Sequence, residues 1–91
     1  MEVEFDPAKD AINRNKHEGL SLSLAAEMDW SAALIEPDER FSYDEIRLNA
    51  IVPLGNRLYR ITFTERGEKM CPISLRYAKK REVADYVQRY R

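Results

Sequence analysis

Five side chains of this 91-residue chain have the type and spacing to work on an anionic group: Arg76, Arg47, Glu45, Arg66 and His17. Arginine suits phosphate because its planar fork donates two parallel hydrogen bonds and keeps its charge. Arg76 stands two residues after Ser74 in an alternating stretch, so both belong on the polar face of a strand. Glu45 and Arg47 are also two apart and share a face if a strand starts early enough. Glu45 is then either a proton acceptor or the ion-pair partner of Arg47. Arg66 precedes Gly67 in a turn, where a solvated arginine is the ordinary outcome. His17 is the one side chain whose unperturbed pKa lies near neutrality, although a lone histidine near a helix C-terminus is often structural.

The charges around these residues are unevenly placed. Residues 1–45 hold 4 Lys+Arg against 12 Asp+Glu, and residues 46–91 hold 11 against 4. A formal −8 and a formal +7 are thus hidden inside a net −1. A concentrated basic half presents a phosphate-attracting face. Lys79, Lys80 and Arg81 open the last predicted helix, at the positive end of its dipole, a misfit that favours an anionic partner.

The elements that must position these groups follow from period and punctuation. Val3 and Phe5 alternate with Glu2 and Glu4 as a short strand. Asp6-Pro7 starts a helix, with Asp6 as cap and Pro7 at the first helical position. Ala8, Ala11, Ile12 and Asn15 fall at helical spacing, and Gly19 is the expected left-handed end. A second helix starts at Ser21 and runs through Leu24, Ala25 and Met28 toward Trp30, with Leu20 and Ala25 as a hydrophobic staple. Ala33-Leu34-Ile35 reads as a short strand and Glu36-Pro37-Asp38-Glu39 as a turn. Three half-buried strands follow: Ile46, Leu48, Ala50 and Val52; then Tyr59, Ile61 and Phe63; then Cys71, Ile73 and Leu75. Gly55-Asn56 and Arg66-Gly67 join them as hairpins. The polar faces carry Arg47, Arg60, Thr62, Ser74 and Arg76. Val83, Tyr86, Val87 and Tyr90 line one face of a final helix. The expected fold is α+β: an N-terminal strand and a three-strand antiparallel meander packed with two N-terminal helices and a C-terminal helix.

Residues 1–91 are expected to form a single domain of a size that supports a modest core. No apolar run approaches the ~20 residues of a membrane span. The acidic N-terminus does not read as a secretory signal. A lone cysteine, Cys71, makes neither an internal disulfide nor, by itself, a zinc site, and a reducing, cytoplasmic setting is the simplest reading. Cys71 is expected to be buried packing, and Phe5 and Trp30 to be core.

Three sets of motifs stand in order along the chain. The N-terminal set is Phe5-Asp6-Pro7-x-Lys9-x-x-x-Asn13-x-x-Lys16-His17, then Gly19 and Ser21. The middle block is Tyr43-Asp44-Glu45-Ile46-Arg47. The C-terminal set is Thr64-x-Arg66-Gly67, Ile73-Ser74-Leu75-Arg76-x-Ala78, Arg81-Glu82 and Tyr86. In this order the motifs resemble the BrnT toxins of type II toxin–antitoxin systems, and the chain departs from that family's pattern at Cys71, where a basic residue is usual, and at Pro72, which belongs on an edge or a bulge. Glu18 also separates His17 from Gly19, where His-Gly is common.

The resemblance implies a RelE-like fold and a ribonuclease that cleaves RNA and inhibits translation. It implies neutralisation by a BrnA-like antitoxin, of ribbon-helix-helix type, with DNA contacted only through the antitoxin complex. Such an enzyme uses no metal or cofactor. It needs a base for the 2′-OH, an acid for the leaving 5′-oxygen and cations around phosphorus. Arg76, Arg47, Glu45, Arg66 and His17 are the candidates for that chemistry. Lys79, Lys80, Arg81, Arg60, Ser74 and Lys16 are the candidates for holding RNA, with Lys9 loosely on the side of Lys16. The alternative is a non-catalytic module that uses the basic face to hold RNA or a protein.

Overall fold

The computed structural model describes residues 2–39 and 45–90, so Tyr43 and Asp44 of the middle block lie outside the described residues. The fold is α+β. Strand β1 (Glu2–Val3) leads to helix α1 (Pro7–Lys16), two 3-10 helices (Leu22–Glu27 and Trp30–Ala32) and β2 (Leu34–Pro37). Strands β3 (Leu48–Leu54), β4 (Arg57–Arg66) and β5 (Lys69–Tyr77) form the meander, and α2 (Lys80–Arg89) follows. The five strands make one sheet in the order β1-β5-β4-β3-β2. Only β1 runs parallel to its neighbour, β5; the other pairs are antiparallel.

Helix α1 begins as its sequence dictates. Asp6 accepts the Ala8 N–H at 2.8 Å, and Pro7 occupies the first position, where a missing donor leaves nothing unsatisfied. Its inward residue is Asn13, not the Ala8–Ala11–Ile12–Asn15 set; Ile12 is 60% exposed. The Asn13 amide accepts the Leu75 N–H at 2.9 Å and donates to the Leu75 carbonyl at 2.8 Å and the Leu20 carbonyl at 3.0 Å. It therefore takes the place of a strand neighbour on the β5 edge, beyond the two residues that β1 covers. The left-handed ending at Gly19 begins one residue early, with φ of 57° at Glu18 and 79° at Gly19.

The second helix is a tight 3-10 helix. Ser21 caps it by accepting the Ser23 N–H, and Asp10 of α1 accepts both the Ser21 hydroxyl and the Leu22 N–H. Leu20, Leu22, Ala25 and Met28 from this region pack against Ala50, Val52, Tyr59, Ile61, Phe63, Met70 and Leu75 of the sheet. Leu20 and Ala25 thus share one core, as the staple requires. Phe5 and Trp30 border it half-buried. Trp30 meets Phe63 edge-on at 5.4 Å and gives its indole N–H to the Ala25 carbonyl, so its polar end is satisfied.

Three strand expectations need correction. Glu36-Pro37 is the end of β2 rather than a turn; Pro37 is tolerated because β2 is an edge strand. Ile46 precedes β3 and is 78% exposed. Cys71, Ile73 and Leu75 do not share a face. Thr62 faces Ser74 but Phe63 faces Pro72, so Ile73 is an extra, bulged residue that reverses the alternation. Pro72 therefore sits where its missing N–H is tolerated. The second hairpin turns at Gly67-Glu68, with Arg66 still in β4 and Gly67 at φ 63°. Helix α2 buries none of its residues. Its Tyr86 and Tyr90 hydroxyls donate to the Ala32 and Ala33 carbonyls at 2.6 and 3.0 Å, and Arg89 pairs with Glu36.

Replacing Asn13 with alanine should leave buried backbone groups of Leu75 and Leu20 unpaired and cost about 3 kcal/mol. Ile12→Ala, on the exposed side of the same helix, should stay within about 0.5 kcal/mol. Urea denaturation of the two variants checks the difference.

Candidate active site

The apolar core covers one face of the sheet, so the alternate residues of β3, β4 and β5 face the other way. On that outer face Arg60 stands directly opposite Arg76, and Thr62 lies between Asn49 and Ser74. The Thr62 hydroxyl donates to Asn49 Oδ1 at 2.7 Å. Like charges directly opposite each other destabilise a sheet. The counter-charge comes from α2. Glu82 accepts Arg76 Nη1 and Nη2 at 2.8 and 2.9 Å and Arg60 Nη1 at 2.8 Å. These three side chains are only about a fifth exposed, so the charges are weakly screened. Arg76 Nη1 also donates to the Tyr77 carbonyl. Glu82 further accepts the Lys79 N–H at 2.8 Å, which closes the first turn of α2. The dipole misfit of Lys79, Lys80 and Arg81 is thus offset by Glu82 within the same turn; the three cations are exposed.

Three recesses divide the remaining candidates. A shallow one of about 240 Å³ is lined by Arg47, Arg60, Arg76, Thr62 and Ser74, with Asp38 and Ile73. A larger cleft of about 550 Å³ includes Lys9, Glu45, Arg47, Thr64, Arg66 and Cys71 in its lining. Arg47 and Ile73 line both, so the two adjoin. A third recess places His17 with Arg76, Tyr77 and Lys79. Lys16, Lys80 and Arg81 line none of the three.

Within the larger cleft, the partner of Glu45 is Arg66, through bonds of 2.8 and 3.3 Å. Glu45 and Arg47 precede β3, so they do not share a strand face as the spacing suggested. Arg66 closes β4 instead of waving from a turn. Its hydrogen bonds hold the Glu45 carboxyl below the usual carboxylate range, which makes Glu45 a poor proton acceptor. His17 moves the other way in usefulness. Burial, then the nearby Arg76 charge, lowers its pKa, so the imidazole is neutral at neutral pH and able to take a proton. Cys71 is buried, as expected, but on the cleft side of the sheet. Among the described residues no three His, Cys, Asp or Glu side chains form a metal-ion cage, and no helix is long and apolar enough to cross a membrane.

Two residues of this site escaped the sequence reading. Glu82 lies in the Arg81-Glu82 pair three residues after Lys79, the spacing of a capping carboxylate, and that spacing was the available signal. Asp38 fell in a presumed turn; it is buried, and its N–H bonds the Arg47 carbonyl at 2.8 Å.

The bond to Arg76 outweighs burial and draws Glu82 down from an ordinary 4.5 to about 2. A carboxylate lowered in the folded state stabilises fully above its unfolded value and loses that contribution as pH falls through the folded one. The fold should therefore lose on the order of 3 kcal/mol between pH 4.5 and about 2. Glu82→Gln should be less stable at pH 7 and flatter across that window in acid-denaturation curves.

No curated protein matches the chain. A family model described as the ribonuclease toxin BrnT of a type II toxin–antitoxin system matches residues 5–82. That span runs from Phe5, before the α1 cap, to Glu82, the anion between the two arginines. The chain belongs to the BrnT family of ribonuclease toxins of type II toxin–antitoxin systems.

Proposed function

We propose that this chain is a single-domain, metal-independent endoribonuclease toxin that cleaves cellular RNA in the cytoplasm and so inhibits translation and growth. The observation that carries the reading is the convergence of Arg47, Arg60 and Arg76 with the Thr62 and Ser74 hydroxyls in one recess, with His17 beside Arg76. Phosphoryl transfer asks a protein mainly for positioned positive charge at the phosphorus and a proton acceptor. The arginines supply the charge. Neutral His17 takes the proton of the 2′-OH as that oxygen attacks phosphorus. The P–O5′ bond breaks, leaving a 2′,3′-cyclic phosphate, and the 5′-oxygen takes a proton from solvent. Glu45 fixes Arg66 on the wall of the larger cleft, where the two shape the path of the strand.

A type II system pairs its toxin with a protein antitoxin, and a BrnA-like protein of ribbon-helix-helix type is the proposed partner here, covering the outer sheet face. DNA would be reached only through that complex. The resemblance leads one to expect a basic residue at Cys71, on the wall of the larger cleft. Its absence favours a second reading, a degenerate member that binds RNA without cutting it.

Purified chain should cleave RNA in the presence of EDTA and leave cyclic-phosphate ends, and His17→Gln should slow this about 100-fold. Intact RNA after incubation with wild type supports the degenerate reading. RNA association should weaken with salt, with a log–log slope of about −0.7 per phosphate neutralised on single strands. Salt-independent binding contradicts an electrostatic face.

A further inference from the structure

We infer that Glu82 divides the work of the paired arginines: Arg76 is the positioning residue, and Arg60 presents its fork to the RNA phosphate. The inference rests on the ribonuclease reading of this face. It comes from how many N–H donors of each arginine are engaged. Arg76 spends both terminal nitrogens on Glu82 and shares Nη1 with the Tyr77 carbonyl. Its end-on fork is thereby consumed, with three of its five N–H donors committed and Nε–H and one Nη2–H left. Arg60 gives Glu82 only Nη1. Among the described residues four of its five N–H donors carry no bond, against two for Arg76, so the side-on fork of Nε and Nη2 that matches two oxygens of a phosphate belongs here to a guanidinium held by one bond instead of three.

The arrangement gives each partner a definite job. Arg76 faces Arg60 across β4 and β5, and without an anion the two would repel. Glu82 holds both by a single carboxylate, so the orientation of Arg60 is set before any ligand arrives. Holding a flexible cation in place beforehand removes the ordering cost from the reaction itself. Glu82 is in turn held by α2, whose Tyr86 hydroxyl is bonded to the Ala32 carbonyl at 2.6 Å. A helix with no buried residue is thus fixed at both ends by polar contacts, one of them the site's own anion.

Lysine keeps the charge of arginine but has no fork. Arg60→Lys should lower cleavage at saturating RNA at least tenfold while the RNA Kd changes less than threefold. Arg76→Lys should lower cleavage less than Arg60→Lys. Glu82→Gln should lower cleavage but tighten RNA binding, because one negative charge is lost. The Arg76→Gln/Glu82→Gln double variant should be no slower than the slower single variant. Circular dichroism and Tm on each variant separate folding from chemistry, and Glu82→Asp should restore part of the rate if orientation is what Glu82 supplies. Equal losses for the two lysine variants, or no loss for Arg60→Lys, overturn the division. Wild-type chain that binds RNA without cutting it contradicts the ribonuclease reading itself. In that case Arg60→Lys weakening a wild-type complex more than Arg76→Lys does would still support the division, and equal weakening would overturn it.

Discussion

Strand β5 has two edges, and the outer one must find partners for its backbone groups. β1 satisfies it only at Lys69 and Met70, and farther along the Asn13 amide replaces the missing strand at Leu75. One side chain therefore ties helix α1 to the strand that carries Ser74 and Arg76. A buried amide that met no partner would cost more than the bonds contribute, so the tie admits one register only. His17 follows the end of α1 by a single residue, and its place beside Arg76 depends on that register.

The second constraint is electrostatic. The outer sheet face concentrates like charge on neighbouring strands, and that concentration opposes folding. The chain balances it with few carboxylates at short range: Glu82 between Arg60 and Arg76, and Glu45 on Arg66. The acidic N-terminal half contributes Glu45 to this balance, and Asp38 to the lining of the arginine recess. The strongest single tie, through Glu82, comes from within the basic half. The −8 and +7 halves are therefore not separate acidic and basic bodies, because carboxylates of both halves sit among the cations.

Much of this fold was legible in the sequence because period and punctuation are local. Asp6-Pro7, Ser21, the Gly55 hairpin and the alternation of Tyr59, Ile61 and Phe63 each declare themselves within a few residues. The polar strand face was legible for the same reason: Arg60, Thr62, Ser74 and Arg76 do line one recess, which Arg47 joins from just before β3 and not from a strand face. What escaped depends on pairing across the chain. Asn13 is polar and so does not look like an inward residue, yet its strand partner, Leu75, is 62 positions away. The bulge at Ile73 is visible only once β4 and β5 are in register. The partner of Glu45 was misread because Arg66 is distant in sequence and adjacent only across the folded cleft. The role of Glu82 was missed because a glutamate among basic residues at a helix start looks like a cap, which it is, while its other bonds require the sheet.

The central claim is that the outer face of β3, β4 and β5 holds the RNA phosphate through Arg60. The most direct test is guanidinium Nε–H NMR during titration with a 2′-O-methyl RNA oligonucleotide, which binds but has no 2′-OH to attack. A saturable shift of the Arg60 Nε–H resonance, with Arg76 still bonded to Glu82, is the predicted result. Shifts confined to Arg81 at the exposed start of α2, or to Arg66 in the larger cleft, would contradict it.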